Sequence, residues 1–316
     1  MYKRNGMRHA VRRAVQRALC AAALVAVAAV SWGDPPVLAF VSILPQQYFI
    51  ERIGGDLVQV QVLVKPGQSP ATYRVTPRQM DQLGRADVYF RIGVPFERSL
   101  LPKIKAVRPD LLIVDTREGV DLLDMASPHT HDVSQEPAHL ETEEHAEEVF
   151  WGKDPHIWLD PVRVKIQART IAETLIALSP AEKKRFGTNL RAFCKELDAL
   201  HKKLGARLAP FRGKTFYAYH PAYGYFADAF GLRQEAVEQE GKGPGLRSTE
   251  AIVTCMKQEG IRTLFVQPQF SQRQAAAIAA RAGATVVPLD PLALDYPGNL
   301  QAMADAVARA LGDLEK

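Results

Sequence analysis

From Ser179 to Pro210 the chain keeps an unbroken helical period, and a stiff rod of that length limits what can be built around it. Phe186, Leu190, Phe193, Leu197, Leu200, Leu204 and Leu208 recur every three or four residues, the spacing of one apolar helix face. Ser179 suits an N-cap and Pro180 the first helical position, while Pro210 stops the run. A helix over 180–209 would be about 45 Å long at 1.5 Å per residue. It predicts a spine running along two lobes, in place of a flexible tether.

Both flanks of the rod alternate strand-like and helical patterns. Val37–Leu44, Leu57–Val64, Asp87–Ile92 and Leu111–Val114 read as strands before it, with a helical segment near Pro77–Gly84. A helix from Val162 to Leu178 leads into it. Lys214–Tyr219, Thr263–Gln267 and Thr285–Leu289 read as strands after it, with helices at Ser248–Glu259, Ser271–Ala282 and Asn299–Leu311. Strands alternating with helices imply parallel sheets covered by helices. The expected fold is therefore α/β: two lobes, each with a mostly parallel sheet flanked by helices, joined by one long rigid helix with a cleft between them. The expected divisions are 1–33, a lobe over 34–160, a helical region over 161–210 and a lobe over 211–316.

The formal charge of +5 is misleading. Lys3, Arg4, Arg8, Arg12, Arg13 and Arg17 precede an apolar run from Ala18 to Val30, followed by Ser31-Trp32-Gly33. That order is expected of a secretory signal peptide, and the run is shorter than the about 20 residues of a membrane-spanning helix. Without residues 1–33 there remain 34 basic and 35 acidic residues. The basicity is thus no sign of nucleic-acid binding, and a periplasmic location is expected. Cys194 and Cys255 fall in separate predicted helices and read as buried free thiols. Glu238–Arg247 reads as an exposed loop without the pattern of a phosphate cradle.

Residues 124–150 differ from their surroundings. His129, His131, His139 and His145, half of the chain's eight histidines, lie among seven acids between His129 and Glu148. Almost no apolar residue interrupts them, so a mobile, metal-attracting loop is expected there.

Three further segments carry donors: Asp154-Pro155-His156-Ile157-Trp158, His220-Pro221-Ala222-Tyr223-Gly224-Tyr225-Phe226, and Leu289-Asp290-Pro291-Leu292. His220 and Asp290 each follow a predicted strand, and open α/β sheets place ligand crevices at strand carboxyl ends. Two imidazoles and a carboxylate suit Zn²⁺, whereas Mn²⁺ prefers a more oxygen-rich set. Singly, each residue has an ordinary reading: a histidine or aspartate beside proline is turn chemistry, and Trp158, Tyr225 and Phe226 are core packing.

Together the segments resemble the cluster A-I substrate-binding proteins of zinc and manganese ABC transporters. Ser42-Ile43-Leu44-Pro45, Gly67 to Pro77, Glu240-Gly241-Lys242, Val266-Gln267-Pro268-Gln269-Phe270 and Leu289 to Tyr296 extend the likeness over nearly the whole chain beyond residue 33. The resemblance implies an extracytoplasmic protein with two α/β lobes that delivers a metal to a membrane permease; a monomer without enzymatic activity is expected. His156, His220 and Asp290 would be ligands. A histidine at the third ligand position, as at His220, goes with the zinc branch, as does an acidic, His-rich loop.

The chain departs from the pattern at the first ligand. The family motif is Gly-x-x-Pro-His-x-Tyr-x-x-x-Pro; here Gly67, Pro70, Tyr73 and Pro77 are kept, and Ala71 stands for the histidine. Either a loop histidine or a water completes the shell, or the protein is a receptor of low affinity or altered specificity, Mn²⁺ included. A metal-binding adhesin or buffer is an alternative. A zinc hydrolase is a weaker one, since the chain has neither a His-Glu-x-x-His helix nor a Gly-x-Ser-x-Gly elbow.

Overall fold

Two four-stranded sheets, each entirely parallel, form the frame. They are seen in a computed structural model that describes residues 35–125, 152–238 and 245–312. The expected signal peptide, the four loop histidines and Glu240-Gly241-Lys242 lie outside the described residues.

The first sheet contains β1 (Val37–Val41), β2 (Val58–Val62), β3 (Val88–Arg91) and β4 (Leu112–Asp115), in the order β2-β1-β3-β4. Helices α1 (Leu44–Gly54), α2 (Pro77–Leu83) and α3 (Glu97–Val107) connect them. The second contains β5 (Thr215–Ala218), β6 (Arg233–Ala236), β7 (Thr263–Val266) and β8 (Thr285–Pro288), in the order β6-β5-β7-β8. Helices α4 (Pro161–Leu178) and α5 (Lys183–Leu208) precede this sheet. Helices α6 (Gly224–Phe230), α7 (Leu246–Gln258), α8 (Gln272–Ala282) and α9 (Tyr296–Gly312) belong to it.

Both sheets reverse winding direction beside their first strand, between β1 and β3 and between β5 and β7. The crevices at those carboxyl ends are where such sheets bind ligands. The two-lobe α/β fold read from the sequence is the fold found.

Helix α5 is the expected spine, with short 3₁₀ turns at Pro180–Glu182 and Ala209–Phe211. Its 26 residues make it about 39 Å long. Its amino-terminal part is tied to the first lobe: Asn189 Nδ2 donates to the Ile53 carbonyl at 2.8 Å, and Arg185 and the mid-helix Glu196 pair with Asp56 and Arg52. Its second half is tied to the second lobe, where Arg207 meets Asp305 at 2.7 Å and Lys203 reaches Gln301. One apolar core runs without a break from Phe40 and Phe90, through Phe193 and Leu204 on α5, to Phe265 and Leu300. A second cluster, around Val237, Ile252 and Ala275, covers the far face of the second sheet.

Several local expectations are corrected. Leu44 does not extend β1 but opens α1, because Pro45 sits well in a helix's first turn. Helix α6 and edge strand β6, whose sequence Arg-Gln-Glu-Ala lacks an apolar run, were not anticipated. Glu238 is not in an exposed loop: it is 2% exposed. Cys194 and Cys255 are unpaired, as expected, but half-buried.

Candidate metal centre

His156 and His220 converge on one cavity between the lobes, with ring centroids 5.4 Å apart and planes at 74°. The cavity measures about 60 Å³. Ser69, Pro70, Ala71, Val94 and Pro95 form its first-lobe wall, and Gln267, Gln269, Phe270 and Pro291 lie on the second-lobe side. These segments follow β2, β3, β7 and β8, and His220 follows β5, so carboxyl ends of both sheets face the cavity.

Each imidazole is fixed through Nδ1 by a buried carboxyl group. Asp154 Oδ1 lies 2.6 Å from His156 Nδ1 and also accepts the His156 backbone N–H at 2.9 Å. Glu238 Oε2 holds His220 Nδ1 in the same way. A carboxylate only accepts, so Nδ1 carries the proton and Nε2 of each ring keeps its lone pair. Carboxylate–histidine pairs of this kind fix tautomer and orientation at metal sites and raise ligand basicity. Burial pulls the pKa of His220 below the ordinary imidazole value, the Glu238 hydrogen bond opposing and His156 adding to the effect. The shift favours the neutral ring, the form a metal requires.

The sheet register explains how Glu238 comes to lie under His220. Ala218 on β5 pairs with Ala236 on β6, and two residues further on the same register sets His220 against Glu238. The Glu238 N–H continues the ladder to the Tyr219 carbonyl at 2.8 Å. Asp154 is accommodated by a glycine. A Cβ on Gly224 would lie 2.7 Å from Asp154 Oδ2, so the glycine of His-Pro-Ala-Tyr-Gly-Tyr-Phe leaves room for the group that orients His156.

Trp158, Tyr225 and Phe226 are core, as read, and Tyr223 is buried as well; the polar tips of Trp158, Tyr223 and Tyr225 are engaged. Trp158 Nε1 donates to the Pro291 carbonyl at 2.7 Å and Tyr223 Oη to the Leu289 carbonyl at 2.6 Å. Both bonds grip the segment that carries Asp290. Tyr225 Oη accepts from the Leu123 N–H at 3.0 Å and donates to the Asp154 carbonyl at 2.9 Å. Phe270 stacks on His220 at 4.8 Å.

Asp290 is placed differently from the two histidines. It lines an adjoining cavity with Lys65, Gly67 and Leu294. Its Oδ1 accepts the Leu292 N–H at 2.9 Å and Gln269 Nε2 at 3.1 Å. Gln269 and Leu292 border both cavities. Among the described residues, no group of three or more His, Cys, Asp or Glu side chains is gathered as a metal-holding set. The structure thus brings His156 and His220 together and sets Asp290 in the adjoining cavity, bonded to Gln269, which borders both. Ala71 sits on the wall facing the histidines, where its methyl offers no donor.

Two parallel α/β lobes, a single helix tied to both, and a carboxylate-backed pair of imidazoles in the cleft define a two-lobed binding protein with a metal-type site. The profile of the family described as zinc-uptake complex component A, periplasmic, matches residues 40–310, and the chain belongs to that family. It is 28% identical over 268 residues to the high-affinity zinc uptake system protein ZnuA of Yersinia pestis, covering 79% of this chain and 81% of that one. It is also 28% identical over 290 residues to ZnuA of Haemophilus ducreyi, covering 85% and 92%. Among solved structures, a crystal structure of ZnuA matches with a TM-score of 0.77 and 38% identity over 87% of this chain and 99% of that one. A ZnuA deletion mutant with zinc bound matches at 0.76 and 37%, over 87% and 98%.

Proposed function

We propose that this protein captures Zn²⁺ outside the cytoplasm and hands it to the membrane permease of an ABC importer. The observation that carries this reading is the pair of facing imidazoles, each with Nδ1 held by a buried carboxyl group and Nε2 left as a metal donor. His156 and His220 supply nitrogen ligands and Asp290 an oxygen ligand, the mixed set that zinc accepts. Asp290 reaches the ion by exchanging its Gln269 contact for the metal. The names of the relatives, high-affinity zinc uptake proteins, support zinc as the cargo.

The protein acts as a receptor, without catalysis, and works as a monomer without nucleic acid. His129, His131, His139 and His145 act as auxiliary metal donors that raise the local concentration of zinc. The continuous core and the two-sided anchoring of α5 support capture with small lobe movements.

Metal analysis and calorimetric titration of the purified protein test the reading. One Zn²⁺ per chain is expected, bound more tightly than Mn²⁺ and lost in His156→Ala. Zinc binding that His156→Ala leaves unchanged would place the site elsewhere. Normal growth of a deletion strain under zinc limitation would remove the transport role.

A further inference from the structure

The first-lobe wall of the cavity presents only a methyl group at Ala71, yet the fold brings an unengaged oxygen to the same cavity from the opposite side. Gln267 follows β7, is 0% exposed and lines the cavity together with His156, His220 and Ala71. Register places it there. Ala218 pairs with Phe265, so two residues on, Gln267 neighbours His220 on the side away from Glu238.

The orientation of its amide is fixed by chemistry. Gln267 Nε2 donates to the His220 carbonyl at 3.0 Å, and turning the amide over would set oxygen against oxygen. Oε1 is therefore the remaining polar end. Among the described residues it is buried without a hydrogen-bond partner. A buried acceptor left in that state costs about 1–3 kcal/mol, so the site favours a donor beside it. The cavity volume of about 60 Å³ exceeds the about 10–15 Å³ that one water requires.

We propose that Gln267 Oε1 holds a water that completes the coordination of Zn²⁺, occupying the room that Ala71 leaves. This rests on the metal site proposed above. A water bound to zinc is a strong hydrogen-bond donor, because the ion lowers its pKa from 15.7 toward about 7–9. A carboxamide oxygen accepts that bond without adding charge. It is also too weakly basic to take the proton, so Gln267 orients the water without acting as a general base. Gln267 is thus a positioning residue for zinc, acting through the water.

A double-mutant cycle tests this on the full chain, read by zinc titration and by the visible spectrum of the Co²⁺-loaded protein. Gln267→Leu should weaken Zn²⁺ binding about 10-fold or more, the usual cost of removing an outer-shell partner. In an Ala71→His background, where an imidazole takes the place of the water, the same change should cost little. Gln267→Glu keeps an acceptor oxygen but loses the N–H to the His220 carbonyl, and should retain most of the affinity in the Ala71 background. The Co²⁺ bands should shift with Gln267→Leu when Ala71 is present and stay fixed when it is replaced by histidine.

Equal losses in both backgrounds, or a Gln267→Glu variant as weak as Gln267→Leu, would make Gln267 a support for the His220 backbone and overturn the proposal. Undiminished binding in Gln267→Leu would overturn it too. If the unmodified protein takes up no Zn²⁺, the metal-site reading itself falls, a result the first titration separates from the others.

Discussion

The two walls of the cleft are built from parallel sheets of the same strand order, yet they differ in chemistry. The second-lobe wall presents His220, Gln267 and Gln269, with Glu238 buried behind. The first-lobe wall presents His156 and, from the turns after β2 and β3, Ser69, Pro70, Ala71, Val94 and Pro95. The first lobe does have buried polar groups, but they are turned to internal bonding. Glu97 accepts the Ile92 and Gly93 N–H groups at 3.0 and 2.8 Å and binds Ser42, while burial raises its pKa. Asp115 sits between Arg91 and Arg117. The first lobe gives the cavity His156, from the segment held to Leu123 after β4, whereas the turns after its β2 and β3 offer shape without a metal donor. Equal topology therefore does not mean equal function, because the residues that follow each strand decide what the crevice offers.

The most severe way to break this contrast is to remove an imidazole. His220→Ala should lower zinc affinity by more than about 100-fold, since loss of an outer-shell partner alone costs about 10–100-fold. His156→Ala should do the same, and calorimetric titration reads both. Next come the groups behind the rings. Glu238→Gln and Asp154→Asn keep side-chain size but no longer hold Nδ1–H through a charged acceptor, so each should weaken zinc by about 10–100-fold with a smaller change in thermal stability. If Glu238→Gln left affinity unchanged, the second wall would owe its chemistry to His220 alone.

The two α/β lobes, the spine and the pair His156 and His220 were legible because each rests on a local pattern: apolar period, strand-end position, histidine beside proline. Glu238 was not. It lies at the edge of a Gly-rich stretch and looks solvated, and its burial depends on β6 pairing with β5, a contact no local window contains. Gln267 was quoted as part of a motif, but its place beside His220 needed the register of β5 against β7. Helices α1 and α6 begin without a side-chain cap, so the usual start signal is missing. Asp290 shows the reverse case. Its turn chemistry, Oδ1 to the Leu292 N–H, is present as the ordinary reading of Asp-Pro would have it.

Changes to the strand-end turns of the first wall, away from His156, should act on stability and spare zinc affinity. Burial opposes ionisation of Asp115, but the Arg117 hydrogen bonds and the charges of Arg117 and Arg91 outweigh it, holding its pKa below the usual aspartate value. A depressed folded-state pKa means the unfolded chain binds the proton more readily. The stabilisation is thus present above the unfolded pKa of about 3.9 and is lost as pH falls through the lower folded value. Asp115→Asn should flatten that acid-side loss in urea unfolding at graded pH. At neutral pH it should cost less than the about 3–5 kcal/mol of breaking a fully buried pair, because 26% of the Asp115 side chain meets solvent. A steep fall in zinc affinity in this variant would show that these strand ends are coupled to the metal.

The finest test lies at Gly93, directly beneath that wall. Its φ of 87° is open to glycine and strained for other residues, and an added Cβ would run into the Arg117 guanidinium. Gly93→Ala should therefore destabilise the fold by about 1–3 kcal/mol, seen as a lower Tm of the metal-free protein. The neighbouring Val94 and Pro95 line the cavity as apolar surface only, so zinc affinity should hold within about threefold, under 0.7 kcal/mol at 1.4 kcal/mol per tenfold. If the turns of the first wall merely give shape, small backbone shifts there are absorbed by the water-sized space beside Ala71. If affinity falls in step with Tm, the spacing between the walls sets the strength of the site, and the contrast between donor-bearing segments and passive turns would have to be given up.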